Sequence, residues 1–306
     1  MTPFPANARV VFIGDSITAG CNFTARIAAH YVRHLPDLGV TFKNAGVSGG
    51  SVQSAMLYYD ASVASFHPTH ALIMLGVNDS DRNALLLTDE DARNARLEAA
   101  HERYVTRMNE LLDRLAADNV TVTLCTPAPY AEFMPSDQEV LPDGYALIRR
   151  YAETVRALAR ERGLDIIDYH AALSEYYLCE PMYVPDRVHP NDAGHHRMAY
   201  TALSAQGLTP DEYRPLTEVL SDMPALAEWN TLAAKVTSIY AVEWMVVCNF
   251  GLPTGEKLAL VQKTIDEGKW DGVPYFQNIT AAYMENKPKE PEMLARMNAL
   301  WAELYC

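Results

Sequence analysis

The run Arg9-Val10-Val11-Phe12-Ile13-Gly14-Asp15-Ser16-Ile17-Thr18-Ala19-Gly20 decides how this chain is read. An apolar stretch rich in β-branched residues ends at a glycine, and an amphipathic stretch opens at the serine. That pattern predicts a strand, a tight turn and a helix start. Open α/β sheets bind ligands outside the carboxyl ends of their strands, and this turn places the Ser16 hydroxyl there. The first N–H groups of the following helix have no intrahelical acceptor and face the same space. Two readings of Ser16 stay open on this segment alone. It is a helix N-cap, a role serine fills well, or it is a nucleophile beside an anion site.

Three later stretches bear on that choice. Asn44-Ala45-Gly46-Val47-Ser48-Gly49-Gly50 follows the strand-like Val40-Thr41-Phe42. Gly76-Val77-Asn78-Asp79 follows Ala71-Leu72-Ile73-Met74-Leu75, and Asp186-Arg187-Val188-His189-Pro190 precedes a helical pattern. Each alone is ordinary turn chemistry. Together they supply what acyl transfer to serine needs. The hydroxyl requires a base within hydrogen-bond reach, and His189 supplies an imidazole, the side chain most often used as a general base. Asp186, three residues earlier, can hold the other ring nitrogen and stabilise the imidazolium. Charge developing on a carbonyl oxygen calls for preorganised donors. The Ser16 and Gly49 N–H groups and the Asn78 amide are the candidates. Asp15 and Asp79 read chiefly as acceptors that hold the turns, with Asp15 also a substrate-side candidate. Pro190 keeps His189 extended and prepares the next helix.

These blocks resemble those of the GDSL, or SGNH, hydrolases, serine esterases and lipases built on a flavodoxin-like sheet. Gly-Asp-Ser-Ile-Thr-Ala-Gly matches the first block, and the likeness runs from residue 8 to residue 205. It implies roles for Ser16, Gly49, Asn78, Asp186 and His189, with Gly46 and Gly50 as alternatives to Gly49. It implies no cofactor and no metal. The segment Cys21-Asn22-Phe23 departs from the family pattern.

Periodicity predicts strands over 9–13, 40–44, 70–75, 120–125 and 165–168, and helices over 17–34, 51–65, 93–117, 143–162 and 191–206. The stripe Leu97, Tyr104, Met108, Leu111, Leu112, Leu115 marks the third of these, and Gly163 marks the end of the fourth. Such alternation implies a three-layer α/β/α fold around a five-stranded parallel sheet. Residues 1–206 read as the catalytic domain. Residues 207–306 read as a helical extension that packs, caps the site or mediates self-association. Its helices are expected to reach Phe250 (with a stop at Gly251), to cover 256–267 (with a stop at Gly268), and to run over 291–305. Lys287–Pro291 reads as a linker.

Composition narrows the partners. The 306-residue chain carries a formal charge of −14, which repels phosphate backbones and anionic lipid. No nucleic-acid partner is expected. No apolar stretch is read as long enough to span a bilayer. Five scattered cysteines, Cys21, Cys125, Cys179, Cys248 and Cys306, form no metal or disulfide pattern. An odd count and the absence of a basic-apolar leader point to a cytoplasmic protein. The histidines other than His189 show no metal-ligand spacing.

The substrate is the least legible element. Tyr130 and Phe133 in one loop, and Tyr176, Tyr177 and Tyr183 before the Asp-His segment, form an aromatic rim for a sugar or pack the loops. The family's range favours a small-acyl carbohydrate ester. A lysophospholipase or thioesterase for longer acyl chains, with Trp244–Phe250 lining an acyl channel, is the alternative. A phosphate-binding module without catalysis is the competing class, although the glycine turn has no GxGxxG or P-loop lysine.

Overall fold

Side-chain alternation along β1 (Arg9–Gly14) divides the interior into two cores. Val10 and Phe12 point into one, Val11 and Ile13 into the other, and none is more than 1% exposed. A strand covered on both faces must be apolar on both. β2 (Thr41–Gly46), β3 (His70–Met74), β4 (Thr121–Cys125) and β5 (Asp165–Ile167) complete the sheet. All pairings are parallel, in the order β2-β1-β3-β4-β5, the flavodoxin-like arrangement. β1 has β2 on one side and β3 on the other, so the chain's path across the sheet reverses there. A crevice opens at that reversal above the carboxyl ends. These elements belong to a computed structural model that describes residues 1–175, 181–250, 263, 267 and 281–305.

The helices are α1 (Ser16–Ala19), α2 (Asn22–His34), α3 (Val52–Leu57), α4 (Glu90–Ala117), α5 (Gly144–Arg162), α6 (Tyr169–Ser174), α7 (Asp192–Ala205), α8 (Leu216–Ser221), α9 (Pro224–Phe250) and α10 (Glu290–Leu304). The expected stripe of α4 is buried from Tyr104 to Leu115, and it joins Leu147, Tyr151 and Val155 of α5 on one face of the sheet. On the other face α2, α6 and α7 share a core with α9 and α10.

The structure corrects several boundaries. The helix expected over 17–34 is two helices, because Cys21 adopts a left-handed backbone (φ 56°) between them. The one expected over 51–65 stops at Leu57 and continues as π and 3-10 turns, where Ser62 Oγ donates back to Tyr58 O. Such back-bonding competes with regular helix. α4 starts at Glu90 because Asp89 caps it by accepting from Ala92 N at 3.1 Å. Lys287–Lys289 is a 3-10 turn leading into α10 and not a linker, since Lys287 Nζ pairs with Glu243 at 3.0 Å and with Glu290 at 2.6 Å. The expected helix over 256–267, its bounding Gly251 and Gly268, and Tyr176, Tyr177, Cys179 and Cys306 lie outside the described residues, apart from the isolated positions 263 and 267.

The C-terminal helices enter the core of the sheet. Trp301 packs on Phe42 of β2 at 5.7 Å between ring centroids and on Trp229 of α9 at 5.1 Å. Tyr240 lies 5.1 Å from Tyr58. Contrary to the sequence reading, one stretch, Pro224–Cys248, is long and apolar enough to cross a membrane by length and composition. Half of it is buried inside the protein.

Two carboxylates tie the loops at the carboxyl end of the sheet. Asp15 Oδ1 caps α1 by accepting from Ile17 N at 2.9 Å, and Asp79 Oδ1 accepts from Val52 N at 3.0 Å. Burial raises the Asp15 pKa to about 6. Burial, with Asp15 nearby, raises that of Asp79 to about 7. Both folded values lie above the ordinary 3.8, so the fold favours the protonated forms. Their contribution to stability is full below about pH 4 and is lost as pH rises through 6 to 7. Asp79→Asn keeps an acceptor for Val52 and removes one such term. The variant is expected to gain on wild type by up to about 1.4 kcal/mol per pH unit across that window. Chemical denaturation at pH 4, 6 and 8 measures this, and parallel pH dependences for the two proteins would refute it.

Candidate functional site

The turn after β1 works only if α1 can sit directly on the end of β2. A Cβ at Gly46 would lie 2.4 Å from Ala19 N, so glycine there permits the approach. Ser16 is the first residue of α1 and stands half-buried above the sheet. Its Oγ lies 2.7 Å from His189 Nε2. His189 Nδ1 lies 2.6 Å from Asp186 Oδ2, and Asp186 Oδ1 accepts from the Val188 and His189 backbone at 2.9 Å each. Burial pushes the Asp186 carboxyl up. The His189 backbone and ring and the Val188 N–H outweigh it and hold the group below the usual carboxylate range. A carboxylate at Nδ1 keeps the ring proton on that nitrogen and leaves Nε2 to accept from Ser16. The three side chains expected to cooperate thus form one hydrogen-bonded chain.

The loop carrying Asp186 and His189 is fixed from both ends. Asn191 Oδ1 caps α7 through Gly194 N at 3.0 Å. Arg187 is buried, with a left-handed backbone (φ 64°). It donates to the carbonyls of Glu132, Met134, Ser136 and Gln138, and its own carbonyl accepts from Ala131 N. Its importance was invisible in the sequence, where it is one arginine between two more conspicuous residues.

The glycine choice narrows on hydrogen bonding. The Gly46 N–H donates to Asn44 Oδ1 at 2.9 Å and the Gly50 N–H to Val47 O at 2.8 Å. The Gly49 N–H has no acceptor among the described residues, and its positive φ of 71° suits glycine. Asn78 Nδ2 donates to Gly50 O at 2.9 Å, which anchors that amide and leaves its second hydrogen for another acceptor.

Trp244 is the residue the sequence reading undervalued. Its indole Nε1 donates to Gly49 O at 2.9 Å, although it comes from α9, 195 residues away. Beside it a chamber of about 520 Å³ opens onto Ser16, Ser48 and Gly49. Arg82, from the loop after β3, sets its cation near Asp15, Tyr130 and Asp186, and burial lowers its pKa.

The aromatic rim is mostly packing. Tyr130 is 5% exposed, its hydroxyl accepting from Leu141 N at 2.9 Å, and Tyr183 is 4% exposed with a bridge to Pro190. Phe133, at 59%, is the exposed one. Asp15 is buried under α1 as its cap, away from a substrate-contacting position.

One cluster of possible metal ligands forms only in three dimensions. His30 and His34, one turn apart on α2, and Asp211 place ligand atoms within 4.8 Å of one another. The sequence reading had set both histidines aside. Arg33 Nη1 sits 3.1 Å from Asp211 Oδ2 and His34 Nε2 2.7 Å from Oδ1, so this carboxylate already serves as an ion-pair centre.

Comparison with known proteins identifies the family. The sequence profile of the GDSL-like lipase/acylhydrolase family matches residues 12–197. An acetylxylan esterase from Geobacillus stearothermophilus is 26% identical over 218 residues, 65% of this chain and 94% of that protein. The crystal structure of the Geobacillus stearothermophilus acetylxylan esterase Axe2, 24% identical, superposes with a TM-score of 0.57 over 69% of this chain and 99% of its own. A gut microbial diltiazem-metabolizing enzyme, 16% identical, shares the fold over 100% of this chain and 96% of its own, with a TM-score of 0.81. That second likeness includes the C-terminal helices. The chain belongs to the GDSL-like lipase/acylhydrolase family and is a carboxylic ester hydrolase.

Proposed function

We propose that this hydrolase works by acyl transfer to Ser16. The observation that carries the reading is the unbroken chain from Ser16 Oγ through His189 to Asp186, with contacts of 2.7 and 2.6 Å. Ser16 Oγ attacks the acyl carbon as its proton passes to His189 Nε2. The carbonyl π pair moves onto oxygen, toward the Ser16 and Gly49 N–H groups and the Asn78 amide. Collapse expels the alcohol oxygen, which takes the proton from His189. Water then repeats the sequence on the acyl-enzyme and releases the acid. Asp186 stays ionised and holds the imidazolium in place. These steps draw on no cofactor.

On the alcohol side we propose a carbohydrate, and on the acyl side a small group such as acetyl. The support is the likeness to the acetylxylan esterase. A specific observation favours a second reading, an ester with a larger apolar group, because the chamber beside Ser16 is mostly walled by apolar side chains. We also propose residues 1–206 as the catalytic domain and 207–306 as an extension that packs onto it and borders the site.

A fluorophosphonate probe tests the nucleophile. Wild type is expected to be labelled and Ser16→Ala is not, with ester turnover lost in the variant. Failure to label wild type would remove Ser16 as the nucleophile. Asn78→Ala is expected to fold normally and to lose about 3 kcal/mol of transition-state stabilisation, between a hundred- and a thousand-fold in kcat. Turnover equal to wild type would remove Asn78 from the mechanism.

A further inference from the structure

The chamber beside Ser16 has walls of two origins. Ser16 opens α1, and Ser48 and Gly49 lie in the loop after β2, while Thr237, Val242 and Trp244 belong to α9. Its volume of about 520 Å³ falls within the range of small-molecule sites, roughly 300–1,000 Å³. Two hydrogen bonds fasten α9 to α1 and to the loop after β2. Trp244 Nε1 donates to Gly49 O at 2.9 Å, and Thr237 Oγ1 donates to Ala19 O at 3.3 Å. The first acts on the peptide that follows the Gly49 N–H. The surroundings of an ester seated on Ser16 are therefore unequal. The His189 side chain is 41% exposed, whereas Val242 and Trp244 are 3% and 7% exposed.

We infer that α9 is a working wall of the ester site. It closes a subsite for an alkyl or aryl group of the substrate, and Trp244 is a positioning residue that fixes the Gly49 loop. This inference rests on Ser16 as the nucleophile. The chemistry of the subsite is the same whether the apolar group arrives on the acyl or on the alcohol side of the ester. Each methylene withdrawn from water there strengthens binding about fourfold. An acetyl group alone leaves most of the chamber unfilled, so of the two substrate readings given above this subsite favours the ester with one larger apolar group.

Three esters separate the sources: methyl acetate, methyl octanoate and 2-naphthyl acetate. Ala241→Phe and Ala234→Phe narrow the chamber from α9, the second at an exposed position that tolerates the change. Both are measured on the full chain, with fluorophosphonate labelling of Ser16 alongside. The expected result is a fall of at least tenfold in kcat/KM for one bulky ester relative to methyl acetate. Loss of the octanoate preference assigns the chamber to the acyl group, and loss of the naphthyl preference assigns it to the alcohol. Trp244→Phe keeps an aromatic ring but removes the donor. It is expected to lower kcat about tenfold on all three esters with little change in KM, a split that general loosening would not produce. Labelled Ser16 with unchanged ester ratios in both Ala241→Phe and Ala234→Phe overturns the subsite, and wild-type kcat in Trp244→Phe overturns the positioning role. Unlabelled wild type instead refutes the serine mechanism and this inference with it.

Discussion

A 2.7 Å contact between Ser16 Oγ and His189 Nε2 spans 173 residues of chain, and most of the fold serves to make it. A hydrogen bond of that length tolerates little displacement of either partner. Ser16 is set by β1, whose side chains are locked into two cores at once. His189 is set by the start of α7, which packs on α2, the helix that follows Ser16. The parallel stacking of Phe23 and His195, with ring centroids 6.1 Å apart, joins those two helices, and Arg26 Nη2 pairs with Asp192 at 2.7 Å. Ser16 and His189 are thus held together because α7, whose start carries His189, packs directly on α2, the helix that comes after α1. The alternative, two independent loops meeting across solvent, would place the same atoms with far less precision.

The C-terminal helices extend that mounting. An apolar helix as long as α9 must be covered, and α10 and the outer face of β2 cover it through Trp229, Trp301 and Phe42. Once docked there, α9 runs past the loop after β2. Trp244 meets Gly49 because the packing that buries Trp229 against Trp301 also fixes the register of α9.

Much of this was legible in the sequence because the relevant signals are local. Alternating strands and helices imply a parallel sheet, and blocks at strand ends fall on the ligand-binding edge whatever the tertiary details. Ser16, His189 and Asp186 could be named for that reason. Long-range features were not legible. Arg187, Arg82 and Trp244 act through contacts with loops or helices far away in the chain, and no period or turn motif reports them. Tyr130 and Tyr183 looked like rim residues because aromatic composition does not say which way a loop side chain turns. The cluster of His30, His34 and Asp211 needed the segment after α7 to fold back on α2. The breaks at Cys21 and Leu57 reflect backbone choices, a left-handed residue and a serine bonded to its own helix, that helical periodicity does not encode.

The placement of buried carboxyls follows from the same division of labour. Asp15 and Asp79 sit beneath the loops that carry Ser16 and Asn78, and burial raises both their pKa values. Neither group would be chosen for stability alone. Asp15 holds the Ile17 N–H of α1 and Asp79 the Val52 N–H at the start of α3, so their cost falls at the end of the sheet where geometry matters most. The two apolar cores below offset it. Above them the site is asymmetric, open to water around His189 and closed by apolar side chains along α9. On the reading proposed above, that contrast sorts an ester by its ends, since a polar end loses hydration against α9 and an apolar end gains by leaving water.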